Sequence, residues 1–196
     1  MMNRKPYFYY LAKFILGPIF TLYYNPKIIG KENIPKSGPI VIAGNHKHLY
    51  DQCLAIIATK RAINYMAKKE YFDNKKVAWF FKGTGCISVD RKNKDPKAKE
   101  AALDVLNDKG AIGIFPEGTR NRTEELLLPF KFGAVSLAQK TDSYIVPFAI
   151  TGDYKFRSKN LKITYGKPFK INYMTLEEAN DKLYKIVEKL LKQNSK

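Results

Sequence analysis

Six short runs rich in β-branched and aromatic residues recur along the chain: PIVIAG (39–44), INYMAK (63–68), GCISVD (85–90), AIGIFP (111–116), YIVPFAI (144–150) and LKITYG (161–166). Each has the length and composition of a buried strand. Between them the apolar positions take helical spacing. DQCLAIIATKRA (51–62) is apolar at 53, 54, 56 and 57, and KKVAWFFKG (75–83) reads as a short amphipathic helix. PKAKEAALDVLNDKG (96–110) opens on Pro and closes on Gly, the residues favoured at those two ends, and FGAVSLAQK (132–140) is a fourth helix. The last, TLEEANDKLYKIVEKLLKQ (175–193), starts with a capping box, Thr175 and Glu178, and shows one apolar face at 183, 186, 187, 190 and 191. Strands alternating with helices predict an α/β fold, with a mixed, largely parallel sheet flanked by helices. No Pro- or Ser-rich linker follows residue 26, so residues 27–196 read as one domain.

The N-terminal segment breaks this rhythm. Residues 7–24, YFYYLAKFILGPIFTLYY, carry a single charge, Lys13. A spanning helix needs about 20 apolar residues, and Gly17-Pro18 is expected to break this run near its middle. Tyr7, Tyr9 and Tyr10 at one end and Tyr23 and Tyr24 at the other suit a headgroup boundary. No small-residue cleavage site follows, which argues against a signal peptide. Three readings stand: a helix packed on the domain's own core, a helix or broken hairpin dipping into one leaflet, or a span. Arg4 and Lys5 beside it favour the second. Residues 1–26 are therefore expected to be a membrane-associating helical segment, peripheral or monotopic on the cytoplasmic face of the cell membrane.

Charge strengthens that expectation. Lys and Arg number 35 against 18 Asp and Glu, a formal net charge of +17. Such a chain suits a polyanionic partner: nucleic acid, an anionic membrane surface, an acidic carrier protein or a phosphorylated substrate. No aromatic-basic RNA motif appears, so nucleic acid is not expected. Phosphate-loop, dinucleotide and GxSxG signatures are missing too, which argues against nucleotide use and a serine nucleophile. Cys53 and Cys86 sit in apolar contexts without a CxxC and read as reduced thiols.

The chemistry concentrates in a few stretches. GNHKHLYDQ (44–52) holds both histidines of the chain, His46 and His48, with Asp51 close behind. Residues five apart on one helix project about 140° apart, given ~100° per residue. His46 and Asp51 meet only if His46 lies on a strand-to-helix loop and Asp51 in the helix's first turn. There Asp51 would accept from Nδ1–H and leave Nε2 free as a base, the arrangement of a hydrolase triad. A His48–Asp51 capping pair, a zinc site and a plain turn compete with this reading. Zinc lacks a third histidine or a thiolate pair, so no metal is expected. In GTGCISVDRKN (83–93), Arg91 and Lys92 follow a strand, where a guanidinium grips phosphate bidentately. In IGIFPEGTRNRT (112–123), Pro116 keeps Phe115 extended and Gly118 allows a sharp turn. Glu117 and Arg120 then leave the strand end on one loop, Arg120 for an anionic group and Glu117 to orient it or bond a substrate hydroxyl. The same loop also reads as a surface ion pair. LPFKFGA (128–134) adds Lys131, while YIVPFAI supports only core or acyl-chain contact.

In this order four of these stretches resemble the glycerolipid acyltransferase family, in particular 1-acylglycerol-3-phosphate acyltransferases. NHKHLYD is similar to the family's N-H-x-[ST]-x-x-D block and GCISVDR to its G-x-I-x-V-D-R block. FPEGTR matches the third block in full, and VPFAI resembles the short V-P block. The resemblance runs from about residue 25 to 170. It implies acyl transfer from a thioester, on coenzyme A or acyl carrier protein, to the sn-2 hydroxyl of lysophosphatidic acid, with no further cofactor. His46 and Asp51 are the implied catalytic pair, with Glu117, Gly118 and Thr119 on the substrate side and Arg91, Arg120 and Lys131 toward the acceptor phosphate. His48 departs from the pattern, standing where the family has a small hydroxyl residue. Rival readings are another acceptor, such as glycerol-3-phosphate or another lysolipid, a thioesterase or lysophospholipase acting on water, and a basic membrane-binding module without chemistry.

Overall fold

A computed structural model describes residues 6–90 and 95–194. Seven strands form one sheet: β1 (Lys27–Ile29), β2 (Ile40–Gly44), β3 (Ile63–Lys68), β4 (Ile87–Val89), β5 (Ala111–Ile114), β6 (Tyr144–Thr151) and β7 (Lys162–Tyr165). Their spatial order is β1-β7-β6-β2-β5-β3-β4. All neighbours run parallel except β6 and β7. Five strands therefore point one way, and β7 with its partner β1 points the other. Parallel strands buried on both faces need apolar residues at every position. β2 meets that demand, with all five residues of IVIAG buried.

Helices cover both faces. Val41 and Ala43 face a core shared with α5 (Pro96–Asn107), α6 (Gly133–Lys140) and α7 (Leu176–Asn194). Within α7, Ala179, Leu183, Val187 and Leu191 recur every fourth residue and are buried. The predicted capping box forms at its start: Glu178 N–H donates to Thr175 Oγ1 at 3.1 Å, and Thr175 N–H to Glu178 Oε2 at 2.7 Å. Ile40 and Ile42 face the second core, against α2 (Asp51–Ala58), with Phe20 and Tyr24 of α1 (Tyr7–Tyr24) at its edge. Two short helices, α3 (Lys69–Asp73) and α4 (Lys75–Gly83), lead into the edge strand β4.

The expected break at Gly17-Pro18 does not occur: α1 runs through Pro18 as one 18-residue helix. A proline inside a helix loses one N–H bond and crowds the carbonyl four residues back, a cost of about 3 kcal/mol. Tertiary contacts on both sides of it offset that cost and keep the helix continuous. Tyr9 is buried, and its hydroxyl accepts the Ile63 N–H at 3.1 Å, while Phe20 and Tyr24 pack farther along. Lys13, the segment's one charge, turns inward and donates to the Thr59 carbonyl. The opposite face stays open, with Phe14 79% and Leu22 77% exposed. Among the described residues no helix is long and apolar enough to cross a membrane. Cys53 and Cys86 are free thiols.

Candidate active site

The carboxyl ends of β2, β5 and β6 lie side by side, and each delivers one part of the site, as open parallel sheets do. β2 ends at Gly44, and Asn45 then locks the exit. Its side chain pairs with Ile150 of β6 in both directions, Nδ2 to the carbonyl at 3.0 Å and N–H to Oδ1 at 2.7 Å. His46 follows on the loop and Asp51 opens α2, the arrangement that their spacing requires if the two are to meet. His46 Nδ1 lies 2.8 Å from Asp51 Oδ2.

Asp51 is fully buried. A buried carboxylate is tolerated only where donors satisfy its oxygens. Oδ2 also accepts the backbone N–H groups of Lys47 and His48, each at 2.7 Å, so the turn itself wraps the acid. Oδ1 accepts the Tyr154 hydroxyl at 2.6 Å, from the segment after β6. The His46 ring, 12% exposed, stacks on Phe115 at 4.0 Å and 13°. With Nδ1 committed to Asp51 and one face covered, Nε2 is the nitrogen left for a substrate.

Glu117 is only 3% exposed, and its carboxylate faces backbone donors. Its Oε1 accepts the His46 N–H at 2.6 Å and its Oε2 the Leu128 N–H at 2.9 Å. Both oxygens are thus engaged by backbone rather than by Arg120. Asn121 N–H completes the tie by donating to the His46 carbonyl at 2.7 Å. The β2 loop, the β5 loop and the segment before Leu128 are fastened at one point. Burial pushes the Glu117 carboxyl above its ordinary range, with the Leu128 and His46 N–H groups working against that rise.

Gly118 adopts φ +72°, a conformation glycine alone takes readily, and a Cβ there would meet Lys131 Nζ at 2.9 Å. The two predicted substrate-side residues are therefore adjacent. Thr119 is exposed and Arg120 half-buried. Arg120 lies close enough to act on His48: burial lowers the His48 pKa, and Arg120, Lys47 and His46 lower it further against the pull of Asp51. His48 stacks flat on Tyr154 at 4.1 Å and 18°, and its Nδ1 accepts the Tyr50 N–H at 3.3 Å. Lys47 reaches across to the Gly152 carbonyl at 2.5 Å. Arg91 and Lys92 lie outside the described residues. Beside the pair opens a cleft of about 370 Å³ lined by His46, Lys47, Glu117, Asn121, Leu126 and Gly152, among others.

Asn45 and Tyr154 were not singled out from the sequence. Asn45 carried a signal, a polar residue directly after a wholly apolar strand. Tyr154 carried none, standing 103 positions from its partner.

Residues 25–151 match the family model described as Acyltransferase, well over half of the chain. A 1-acyl-sn-glycerol-3-phosphate acyltransferase from Bacillus subtilis is 34% identical over 158 residues, 78% of this chain and 78% of the relative. The Saccharomyces cerevisiae protein of the same name is 32% identical over 153 residues, 74% of this chain but only 46% of the relative. The crystal structure of the 1-acyl-sn-glycerophosphate (LPA) acyltransferase PlsC from Thermotoga maritima superposes with a TM-score of 0.80 at 23% identity, covering 98% of this chain and 83% of that one. That likeness establishes the shared α/β fold, a mixed and largely parallel sheet flanked by helices. The chain belongs to the acyltransferase family.

Proposed function

We propose that this protein is a 1-acyl-sn-glycerol-3-phosphate acyltransferase, making phosphatidic acid from lysophosphatidic acid and an acyl thioester of coenzyme A or acyl carrier protein. The observation that carries the chemistry is the 2.8 Å pair of His46 and buried Asp51 at the end of β2. The names of the Bacillus and yeast relatives point to the acceptor.

In this reading His46 Nε2 takes the proton of the sn-2 hydroxyl as that oxygen attacks the thioester carbonyl. The tetrahedral intermediate collapses, the C–S bond breaks, and the imidazolium returns its proton to the leaving thiolate. Asp51 holds the ring and stabilises its charged form between the two steps. The nucleophile belongs to the substrate, so the chain needs none of its own. Arg120 and Lys131, together with Arg91, hold the acceptor phosphate, and Gly118 and Thr119 shape the loop between them.

Residues 1–26 form the membrane-associating segment and residues 27–196 the acyltransferase domain. α1 lies along the cytoplasmic face of an anionic membrane, peripheral or monotopic, with its core-facing side tied to the domain and its open side in the lipid. Its exposed Phe14, Ile19 and Leu22 and the net charge of +17 support that placement. The test is an acyl-transfer assay crossing lysophosphatidic acid, glycerol-3-phosphate and other lysolipids with coenzyme A and carrier-protein thioesters. Highest kcat/KM on lysophosphatidic acid supports the assignment. Fatty acid released at one rate with or without acceptor sinks it.

A further inference from the structure

We infer that Tyr154 is a positioning residue of the catalytic pair, acting on His46 through Oδ1 of Asp51, the oxygen that His46 does not use. The inference rests on the His46–Asp51 mechanism proposed above. Three donors converge on Asp51 Oδ2, namely His46 Nδ1 and the N–H groups of Lys47 and His48. On Oδ1 the described hydrogen bond is the Tyr154 hydroxyl, at 2.6 Å. A carboxylate held through one oxygen is free to turn about its Cβ–Cγ bond. Two held oxygens on opposite sides fix its plane, and with it the direction in which Oδ2 faces the imidazole.

The position is built rather than incidental. Tyr154 arrives from the segment after β6, so its bond joins the start of α2 to a distant part of the chain. Its ring is clamped, with His48 stacked on one face at 4.1 Å and the Tyr24 ring of α1 against it edge-on at 5.6 Å. Burial raises the Tyr154 pKa, and the neighbouring Asp51 raises it further, so the hydroxyl stays protonated and keeps donating. This also gives His48 a place: its imidazole covers the tyrosine, where a small hydroxyl residue would leave that face open. The second side chain bonded to the Asp51 carboxylate is therefore a phenol donor and not a second base.

The test uses the full chain with Tyr154→Phe, which keeps the ring and removes one oxygen, and Tyr154→Met as a second hydroxyl-free variant. Far-UV circular dichroism and thermal unfolding establish that each is folded. A hydrogen bond to a charged group accounts for about a tenfold effect. The expected result is a fall in kcat of about tenfold with acceptor KM nearly unchanged, which loss of fold or of substrate contact does not produce. The acid limb of the pH–kcat/KM profile moves to higher pH, because Asp51 without its phenol donor favours the His46 imidazolium more strongly. Wild-type kcat and an unmoved acid limb in a folded Tyr154→Phe overturn the inference. His46→Ala is assayed alongside: if it retains transfer, the base mechanism itself is at fault, and if it is inactive while Tyr154→Phe is normal, only the role of Tyr154 falls.

Discussion

Glu117 offers a sharp test, because its geometry and its sequence position point to different roles. Its carboxylate accepts two backbone N–H groups, from His46 at 2.6 Å and Leu128 at 2.9 Å, in a nearly solvent-free setting. Hydrogen bonds to a charged group contribute about 1.5–3 kcal/mol each, and a buried donor left unpaired costs about 1–3 kcal/mol. Burial of the acid offsets part of this, as the raised pKa shows. Glu117→Ala is therefore expected to lose about 2–4 kcal/mol of stability. Urea unfolding at neutral pH measures it, with the midpoint falling while the slope is unchanged. The backbone of His46 loses its tie in the same variant, so kcat should fall as well. Stability within about 0.5 kcal/mol of wild type, where substitutions away from such features ordinarily lie, together with a raised acceptor KM, would show that Glu117 binds substrate instead. That outcome refutes the clamp.

Tyr65 is buried with its hydroxyl unpartnered among the described residues, so Tyr65→Phe should leave stability unchanged or raise it by about 1 kcal/mol, and a clear loss would reveal a missed partner. Phe14→Glu removes the most exposed large side chain of α1, and burying a phenylalanine is worth about 1.5–3 kcal/mol. Sedimentation with anionic vesicles should show roughly tenfold weaker binding, while unchanged binding would move the membrane face elsewhere. The His48 pKa is lowered in the folded protein, so its contribution is present above its unfolded value of about 6.5 and is lost as pH falls through the lower folded value. The stability difference between wild type and His48→Phe should shift against wild type between pH 7.5 and pH 5, and a pH-independent difference would contradict it.

Local pattern carried much of this architecture. INYMAK and KKVAWFFKG are strand and helix signals whose predicted limits coincide with β3 and α4. The five-residue gap between His46 and Asp51 was enough to require a loop followed by a helix start. What escaped was decided at a distance. β1 has three residues and exists because β7 lies beside it. The reversal of β7 against β6 leaves no mark in a strand that alternates like any other. Pro18 looks like a break in the sequence because the contacts of Tyr9, Phe20 and Tyr24 that keep α1 continuous are tertiary. Glu117 and Arg120, close in sequence, diverge because the buried N–H groups of His46 and Leu128 claim the acid first.

The central claim is that His46 removes the acceptor's proton, and single-turnover acyl transfer to lysophosphatidic acid by folded His46→Ala tests it most directly. General-base catalysis is worth about 10²–10⁴-fold, and phosphatidic acid formation should drop by at least that factor with acceptor binding retained. Transfer at a rate near wild type would contradict the account.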